Sequence, residues 1–210
     1  MKKYFISGIG TDVGKTIVSA VLTEALEADY WKPIQAGDLH LSDTDKVKML
    51  VSNTKSVFHS ERYRLNTPAS PHYAAEVDGI EIALSDFSIP KTDNTLLIEG
   101  AGGLMVPLNS KETVADLVKQ LNIPLILVSR NYLGSINHTM LSIELLKHKG
   151  IEIAGIIFNG EPNLASESWI LNNSGLKCIA RISFAPKNPD KDWILQQSKL
   201  NLKEITALLL

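Results

Sequence analysis

Residues 5–22 read FISGIGTDVGKTIVSAVL and join an apolar strand, a glycine-rich turn and an amphipathic helix. The turn ends in Gly14-Lys15-Thr16, as a phosphate-binding loop does. The usual loop has four residues between its first glycine and the Gly-Lys pair, whereas Gly8 leaves five and Gly10 leaves three. An ordinary strand-to-helix turn with a surface lysine could have a similar sequence. The order of strand, glycines, Gly-Lys-Thr and helix nevertheless favours nucleotide binding.

Composition limits what the chain can be. Its 210 residues are 44% hydrophobic, enough for one sizeable core, so we expect a single domain over residues 1–210. The 21 basic and 23 acidic residues are interspersed, and this pattern predicts no nucleic-acid or membrane partner. Without a signal peptide or spanning segment, we expect a cytoplasmic protein. Cys178 is the only cysteine and the histidines are scattered, which argues against a disulfide or a cysteine-rich metal site.

Apolar runs rich in β-forming residues alternate with helical patterns along the chain. The predicted strands are YFISG, YWKPI, TLLIEGAGG, PLILVS, IAGIIFN and KCIARI. Between them lie predicted helices, including one from Asp43 to Ser52, and a closing helix from Asp192 to Leu210. The stretch YRLNTPASPHYAAEVDG is expected to be a connecting loop with a helical turn. This alternation predicts an α/β fold with a mainly parallel sheet flanked by helices.

Several polar residues follow predicted strands, where parallel sheets bind their ligands. Lys15 is expected to reach the β- and γ-phosphates of a nucleotide, and the Thr16 hydroxyl to bind Mg²⁺. Glu99 ends an apolar strand and is either a second Mg²⁺ ligand or a solvated turn residue. Lys32 is either a cation that faces the ligand or an edge lysine whose stem lies on apolar surface.

Other polar groups precede predicted helices. Asp43 and Asp45, in HLSDTDKVKML, could cap a helix or bind the metal. The segments SPHYAAE and LGSINHTM could each present backbone N–H groups to an anion, although helix capping by Ser70 and Ser135 explains them as well.

In this order, the pieces GIGTDVGKT, KPIQAG, SPH, EGAGGLMVPL, LGSINHTM and GIIFN resemble the dethiobiotin synthetases, ATP-dependent enzymes of biotin synthesis. The likeness runs over most of the chain and implies a fold of the P-loop NTPase type. The loop of this family has the same five-residue spacing, with glutamate frequent where Asp12 stands. Ala36 occupies a position where relatives usually carry Ser or Thr near the substrate carbamate.

The resemblance implies a reaction of 7,8-diaminopelargonate, CO₂ and ATP that gives dethiobiotin, with Mg²⁺, in a homodimer. It implies that Lys15 and Lys32 are catalytic, because they would neutralise the carbamate and the transferring phosphoryl group. The implied ATP-binding residues are Asp12, Val13, Gly14, Lys15, Thr16, Ile17 and Asn159, with Asn159 reading adenine. The implied substrate-binding residues are Thr11, Lys32, Ser135, Ile136 and Asn137.

The implied Mg²⁺ ligands are Thr16, Asp45 and Glu99. Asp45 is preferred to Asp43 because Val47 and Met49 follow it at the spacing of the apolar residues that follow the aspartate of the family. Trp169 falls near the position of an aromatic residue that reaches the substrate carboxylate across the dimer interface.

Two other classes share parts of this pattern. Amidoligases such as cobyrinic acid diamide synthase normally carry a glutamine amidotransferase domain with a reactive cysteine, for which Cys178 is no match in a predicted apolar strand. A MinD/ParA-like ATPase switch protein remains the alternative. Such proteins usually have a second lysine in the loop, where this chain has Ile9 or Gly10, and often a membrane or DNA tail.

Overall fold

A computed structural model describes residues 1–210 and contains strands and helices in alternation. The strands are β1 (Lys3–Gly8), β2 (Asp29–Trp31), β3 (Ile34–Ala36), β4 (Phe58–His59), β5 (Tyr63–Leu65), β6 (Leu96–Gly103), β7 (Leu125–Arg130), β8 (Ile153–Asn159) and β9 (Cys178–Ile182). The helices are α1 (Lys15–Leu26), α2 (Asp43–Leu50), α3 (Pro71–Asp78), α4 (Val114–Leu121), α5 (Ser135–Lys149), α6 (Leu164–Ser174) and α7 (Lys191–Leu209). None of these helices combines the length and apolar character needed to cross a bilayer.

Seven strands form one sheet in the order β4-β2-β6-β1-β7-β8-β9. Every pairing in this sheet is parallel. Consequently all seven carboxyl ends lie at one edge, where β1 and β6 are direct neighbours. The loop after Gly8 and the residues around Glu99 are thereby brought together, although they are far apart in sequence.

Helices cover both faces of the sheet because the side chains of each buried strand alternate between the two faces. Phe5 of β1 belongs to the core formed with α3, α4, α5 and α6. Its neighbour Ile6 belongs to the opposite core, formed with α1, α2 and α7. The predicted single-domain α/β fold with a parallel sheet between helices is confirmed.

The region between β2 and α3 differs from the prediction. YWKPI is not one strand, since β2 ends at Trp31 and a separate strand, β3, begins at Ile34. Pro33 lies at the break and lacks a backbone N–H that could continue the ladder. In the stretch read as a connecting loop, Tyr63–Leu65 forms β5 and pairs with β3 in a small second sheet. This break places Lys32 at the carboxyl end of β2, next to the phosphate-binding loop.

Candidate active site

The phosphate-binding loop connects β1 to α1, and the helix begins at Lys15. Gly14 has a left-handed φ of 87°, and a Cβ atom at this position would overlap the side-chain amide of Asn159. Both the backbone conformation and the contact therefore require glycine. The ammonium group of Lys15 is buried and donates to the carbonyl oxygen of Gly10 at 3.1 Å. Burial lowers the pKa of Lys15, and the positive charge of Lys32 lowers it further, against the opposing effect of Glu99.

Lys32 lies at the centre of a buried group of charges. Its ammonium nitrogen is 2.7 Å from Oδ2 of Asp43 and 3.1 Å from Oε1 of Glu99. The same Glu99 oxygen accepts a hydrogen bond of 3.0 Å from the hydroxyl of Thr16. Lys32 and Glu99 are only 4% and 1% exposed, so this lysine is not the edge residue of the alternative interpretation. A buried ammonium between two carboxylates costs much less than a lone buried charge.

The pKa shifts of the ion pair agree with its geometry. Burial opposes the charged form of Lys32, but the charges of Glu99 and Asp43 outweigh burial and raise the pKa of Lys32. Burial likewise opposes the charged form of Asp43, whereas Lys32 and Lys46 outweigh it and lower the pKa of Asp43. Both groups are therefore charged at neutral pH.

The structure separates Asp43 from Asp45. Asp43 is the first residue of α2 and points to Lys32, while Asp45 accepts hydrogen bonds from the backbone and hydroxyl of Ser42 in a capping box. Val47 is fully buried and lies one helical turn after Asp43, so these two residues share a face. Met49, two residues further on, is 63% exposed. The spacing argument preferred Asp45, but the geometry brings Asp43 rather than Asp45 to the cluster.

Two contacts of the cluster were not expected from the sequence. The hydroxyl of Tyr30, in β2, donates to Oε2 of Glu99 at 2.9 Å. The side chain of Gln35, in β3, accepts from the backbone N–H of Asp43 at 3.1 Å and so fixes the start of α2. Both residues come within a few positions of Lys32, and their polar groups in buried strands were the only available hint.

Arg130 and Asn159, at the ends of β7 and β8, support the phosphate-binding loop from the other side. Arg130 donates to the carbonyl oxygen of Asp12 at 3.1 Å, and its guanidinium lies 5.1 Å from the centre of the Phe184 ring. Asp12 has a left-handed φ of 56°, an uncommon conformation for a residue other than glycine. The amide nitrogen of Asn159 donates to the carbonyl oxygen of Val13 at 2.9 Å, while its buried oxygen has no partner.

The cluster opens into a cleft of about 1030 Å³ at the carboxyl edge of the sheet. Of the residues implicated by the sequence, those that line the cleft are Thr11, Asp12, Gly14, Lys15, Thr16, Ile17, Lys32 and Glu99. The cleft is also lined by Asp43 and by Ser70 and Pro71 of the SPH segment. The implicated residues that do not line it are Val13, Asp45, Ser135, Ile136, Asn137 and Asn159.

The residues at the bottom of the cleft fit a magnesium ion. Asp43, Glu99 and Thr16 provide two carboxylates and a hydroxyl, the oxygen donors that Mg²⁺ prefers. Two or three protein ligands suffice for Mg²⁺ beside a nucleotide, because phosphate oxygens and water complete its octahedron. The chain has no cluster of three or more His, Cys, Asp or Glu side chains able to hold a metal ion by itself.

A glycine-rich loop and helix N-terminus at the edge of a parallel sheet define a nucleotide-binding protein of the P-loop class. In agreement, residues 2–191 match a protein family described as "AAA domain". The chain is 58% identical to the ATP-dependent dethiobiotin synthetase of Christiangramia forsetii, over 88% of this chain and 89% of the relative. It is 50% identical to the enzyme of the same name from Cytophaga hutchinsonii, over 87% and 89% of the two chains. The chain belongs to the dethiobiotin synthetase family.

Solved structures place the same fold in a wider group. The cell division ATPase MinD of Pyrococcus furiosus superposes with a TM-score of 0.59 over 99% of this chain and 100% of its own. The identity is only 15%, so the likeness concerns the fold alone. It explains why a MinD/ParA-like interpretation of the sequence was possible.

Proposed function

We propose that the chain catalyses the ATP-dependent conversion of 7,8-diaminopelargonate and CO₂ to dethiobiotin, with release of ADP and phosphate. The observation that carries this proposal is that a nucleotide site and a buried ion pair lie next to each other in one cleft. Lys15 and Thr16 form a nucleotide site, and the buried pair of Lys32 and Asp43 adjoins it through Glu99. The relatives named above are dethiobiotin synthetases, which supports this substrate class.

The proposed reaction has three steps. An amine of the substrate adds to CO₂, losing a proton, and forms a carbamate. The carbamate oxygen attacks the γ-phosphorus of ATP, which breaks the bond to the β-phosphate bridging oxygen and gives a carbamic-phosphoric anhydride and ADP. The second amine then attacks the anhydride carbonyl, loses a proton, closes the ureido ring and expels phosphate. Such a sequence requires mainly positioning and charge neutralisation from the protein.

The nucleotide side of the cleft supplies part of that charge. In this proposal the backbone N–H groups of residues 12–17 and the ammonium of Lys15 hold the phosphates of ATP. Thr16, Asp43 and Glu99 would hold Mg²⁺, which would supply positive charge against the phosphate oxygens. Asn159, which adjoins the loop through Val13 but does not line the cleft, is proposed to read adenine. Its side-chain oxygen has no partner within the chain.

Lys32 supplies charge on the substrate side. Its ammonium faces the cleft from the end of β2 and is suited to stabilise the carbamate and the phosphoryl group that it receives. Thr11 and Asp12 line the same cleft and are proposed to lie beside the amines of the substrate. Ala36 also lines the cleft, where a hydroxyl residue would have offered one more hydrogen bond to the carbamate.

We further propose that the protein is a homodimer that works in the cytoplasm, where ATP is supplied. Ser135, Ile136 and Asn137 begin α5 outside the cleft of their own chain, and Trp169 of α6 is 49% exposed. Asn137 and Trp169 are exposed, so a second copy could bring them to the cleft, where they would bind the substrate carboxylate. Ser135 is only 3% exposed and is too deep for such a contact. Light scattering tests this arrangement, since a fully active monomer would contradict it.

One experiment tests the reaction. The purified protein is incubated with diaminopelargonate, bicarbonate, Mg²⁺ and ATP, and dethiobiotin is sought by mass spectrometry. Dethiobiotin and phosphate should form together, and both should be absent when the diamine or bicarbonate is omitted. ATP turnover that ignores the diamine but responds to DNA or lipid vesicles would instead support a MinD/ParA-like switch.

A further inference from the structure

The two carboxylate oxygens of Glu99 have different surroundings. Oε1 accepts from Thr16 at 3.0 Å and from Lys32 at 3.1 Å, both of which line the cleft. Oε2 accepts from the hydroxyl of Tyr30 at 2.9 Å, and Tyr30 does not line the cleft. The carboxylate is therefore held with one oxygen toward the ligand site and the other toward the core.

Tyr30 can hold this orientation because its ring is fixed. It is completely buried, lies in the core with α1 and α2, and has its ring centre 6.2 Å from that of Phe58. The phenol is the donor in this contact, because an ionised carboxylate oxygen can only accept.

Packing alone does not explain a hydroxyl at this position. Phenylalanine has the same ring and would serve the core equally, but it would leave Oε2 of Glu99 buried without a donor. A buried carboxylate oxygen without a partner can recover hydrogen bonds by rotating toward the cleft. Such a rotation would move Oε1 away from Thr16 and Lys32.

We propose that Tyr30 is a positioning residue for the nucleotide and Mg²⁺ site. By engaging Oε2 it leaves Oε1 as the one oxygen of Glu99 that faces the cleft, at the angle set by the strand pair β2 and β6. This inference rests on the proposed role of Glu99 in holding Mg²⁺. It extends the site to a side chain that touches neither the substrate nor the nucleotide.

The test compares Tyr30→Phe with Tyr4→Phe, each of which deletes one buried hydroxyl. Tyr4 is a suitable control because its hydroxyl donates to the carbonyl oxygen of Leu209 at 3.0 Å, in the same core but away from the cleft. ATP affinity is measured by calorimetry with Mg²⁺ and with a chelator, and the Mg²⁺ concentration for half-maximal activity is measured alongside.

We expect Tyr30→Phe to raise the half-saturating Mg²⁺ concentration about tenfold or more, the effect of losing one hydrogen bond to a charged group. ATP affinity should fall in the presence of Mg²⁺ and stay unchanged with the chelator. Tyr4→Phe should change neither quantity. An equal response of the two variants, or no response of Tyr30→Phe, would overturn the inference.

A double-mutant cycle gives a second, independent measurement. If Tyr30 acts through Glu99, then adding Tyr30→Phe to Glu99→Ala, which removes the acceptor, should produce no further rise in the half-saturating Mg²⁺ concentration. Additive effects would overturn the inference. If ATP binding and activity of the wild-type protein do not depend on Mg²⁺, the proposed metal role of Glu99 is overturned. That result differs from the failure of the Tyr30 inference alone, in which the wild-type protein still depends on Mg²⁺.

Discussion

The ammonium group of Lys32 lies 2.7 Å from Oδ2 of Asp43, so the end of β2 is paired with the first residue of α2. This contact orients the carboxylate of Asp43 toward the cleft and away from solvent. Asp45, two positions later on the same helix, folds back on Ser42 instead. Because residues two apart do not share a helix face, only one of the two aspartates can reach the site.

The two aspartates should therefore respond differently to the loss of charge. Asp43→Asn removes a proposed Mg²⁺ ligand and should raise the half-saturating Mg²⁺ concentration about tenfold or more. Asp45→Asn should leave this value near that of wild type but lower the free energy of unfolding by about 1 kcal/mol, through the weakened capping box. Mg²⁺ titration of activity and denaturant unfolding check the pair, and the reverse ranking would return the metal role to Asp45.

Substitutions of the two lysines should impair different halves of the reaction. Lys15→Ala removes a cation beside the β- and γ-phosphates and should weaken ATP binding as well as slow the chemistry. Lys32→Ala should leave ATP affinity measured with a chelator close to wild type, weaken binding of the diamine with bicarbonate, and reduce kcat by roughly a hundredfold or more. Calorimetric titration with each substrate separates the two effects. Near-normal turnover of Lys32→Ala would show that the substrate-binding side of the cleft has been assigned to the wrong residues.

Arg130 should matter for the nucleotide through the loop that it supports. Arg130→Ala removes the hydrogen bond to the carbonyl oxygen of Asp12, which sits in a left-handed conformation. We expect ATP affinity to fall by about three- to tenfold, the range of one such bond. Arg62→Ala is a matched control, because Arg62 also lies 5.1 Å from an aromatic ring centre and pairs with Asp86 outside the cleft. Equal ATP affinities of the two variants would contradict the role of Arg130.

The sheet and the phosphate-binding loop could be predicted because their signals are local. Each of these signals occupies a short stretch: the continuous apolar strands, the glycines after Gly8 and the Gly14-Lys15-Thr16 sequence. The five residues between Gly8 and Gly14 further indicated which family of nucleotide-binding proteins the chain resembles. The same reasoning placed Lys32 at a strand end, as observed, whereas Glu99 lies within β6, which continues to Gly103. The parallel pairing of β2 with β6 brings the two residues together.

The parts that could not be predicted depend on side-chain direction and on contacts between distant segments. The choice of Asp43 over Asp45 depends on side-chain direction, because Asp43 reaches Lys32 whereas Asp45 turns back to Ser42. Nothing near Tyr30 indicates its bond to Glu99, since 69 residues separate the two. Pairing between β3 and β5 was also missed, because each strand has only three residues.

The last prediction concerns stability at acid pH, far from the cleft. Asp116 accepts from Lys149 at 2.6 Å and from the backbone and hydroxyl of Thr113 in the capping box of α4. Partial burial opposes its ionisation, but these bonds outweigh burial and lower the pKa of Asp116 from 3.8 to about 2. A carboxylate with a depressed pKa stabilises the fold fully above its unfolded value and loses that contribution as the pH falls through its folded value.

Asp116→Asn should therefore lower the free energy of unfolding at neutral pH by about 1 kcal/mol, after discounting the shift for the exposed part of the ion pair. The difference from wild type should be constant above about pH 5 and shrink as the pH falls from about 4 toward 2. Glu144→Gln, which breaks the exposed pair with Lys147, should change stability by less than about 0.5 kcal/mol at any pH. Urea unfolding at a series of pH values measures both variants. A pH-independent difference for Asp116→Asn would show that the capping geometry, and not the charge, stabilises this helix.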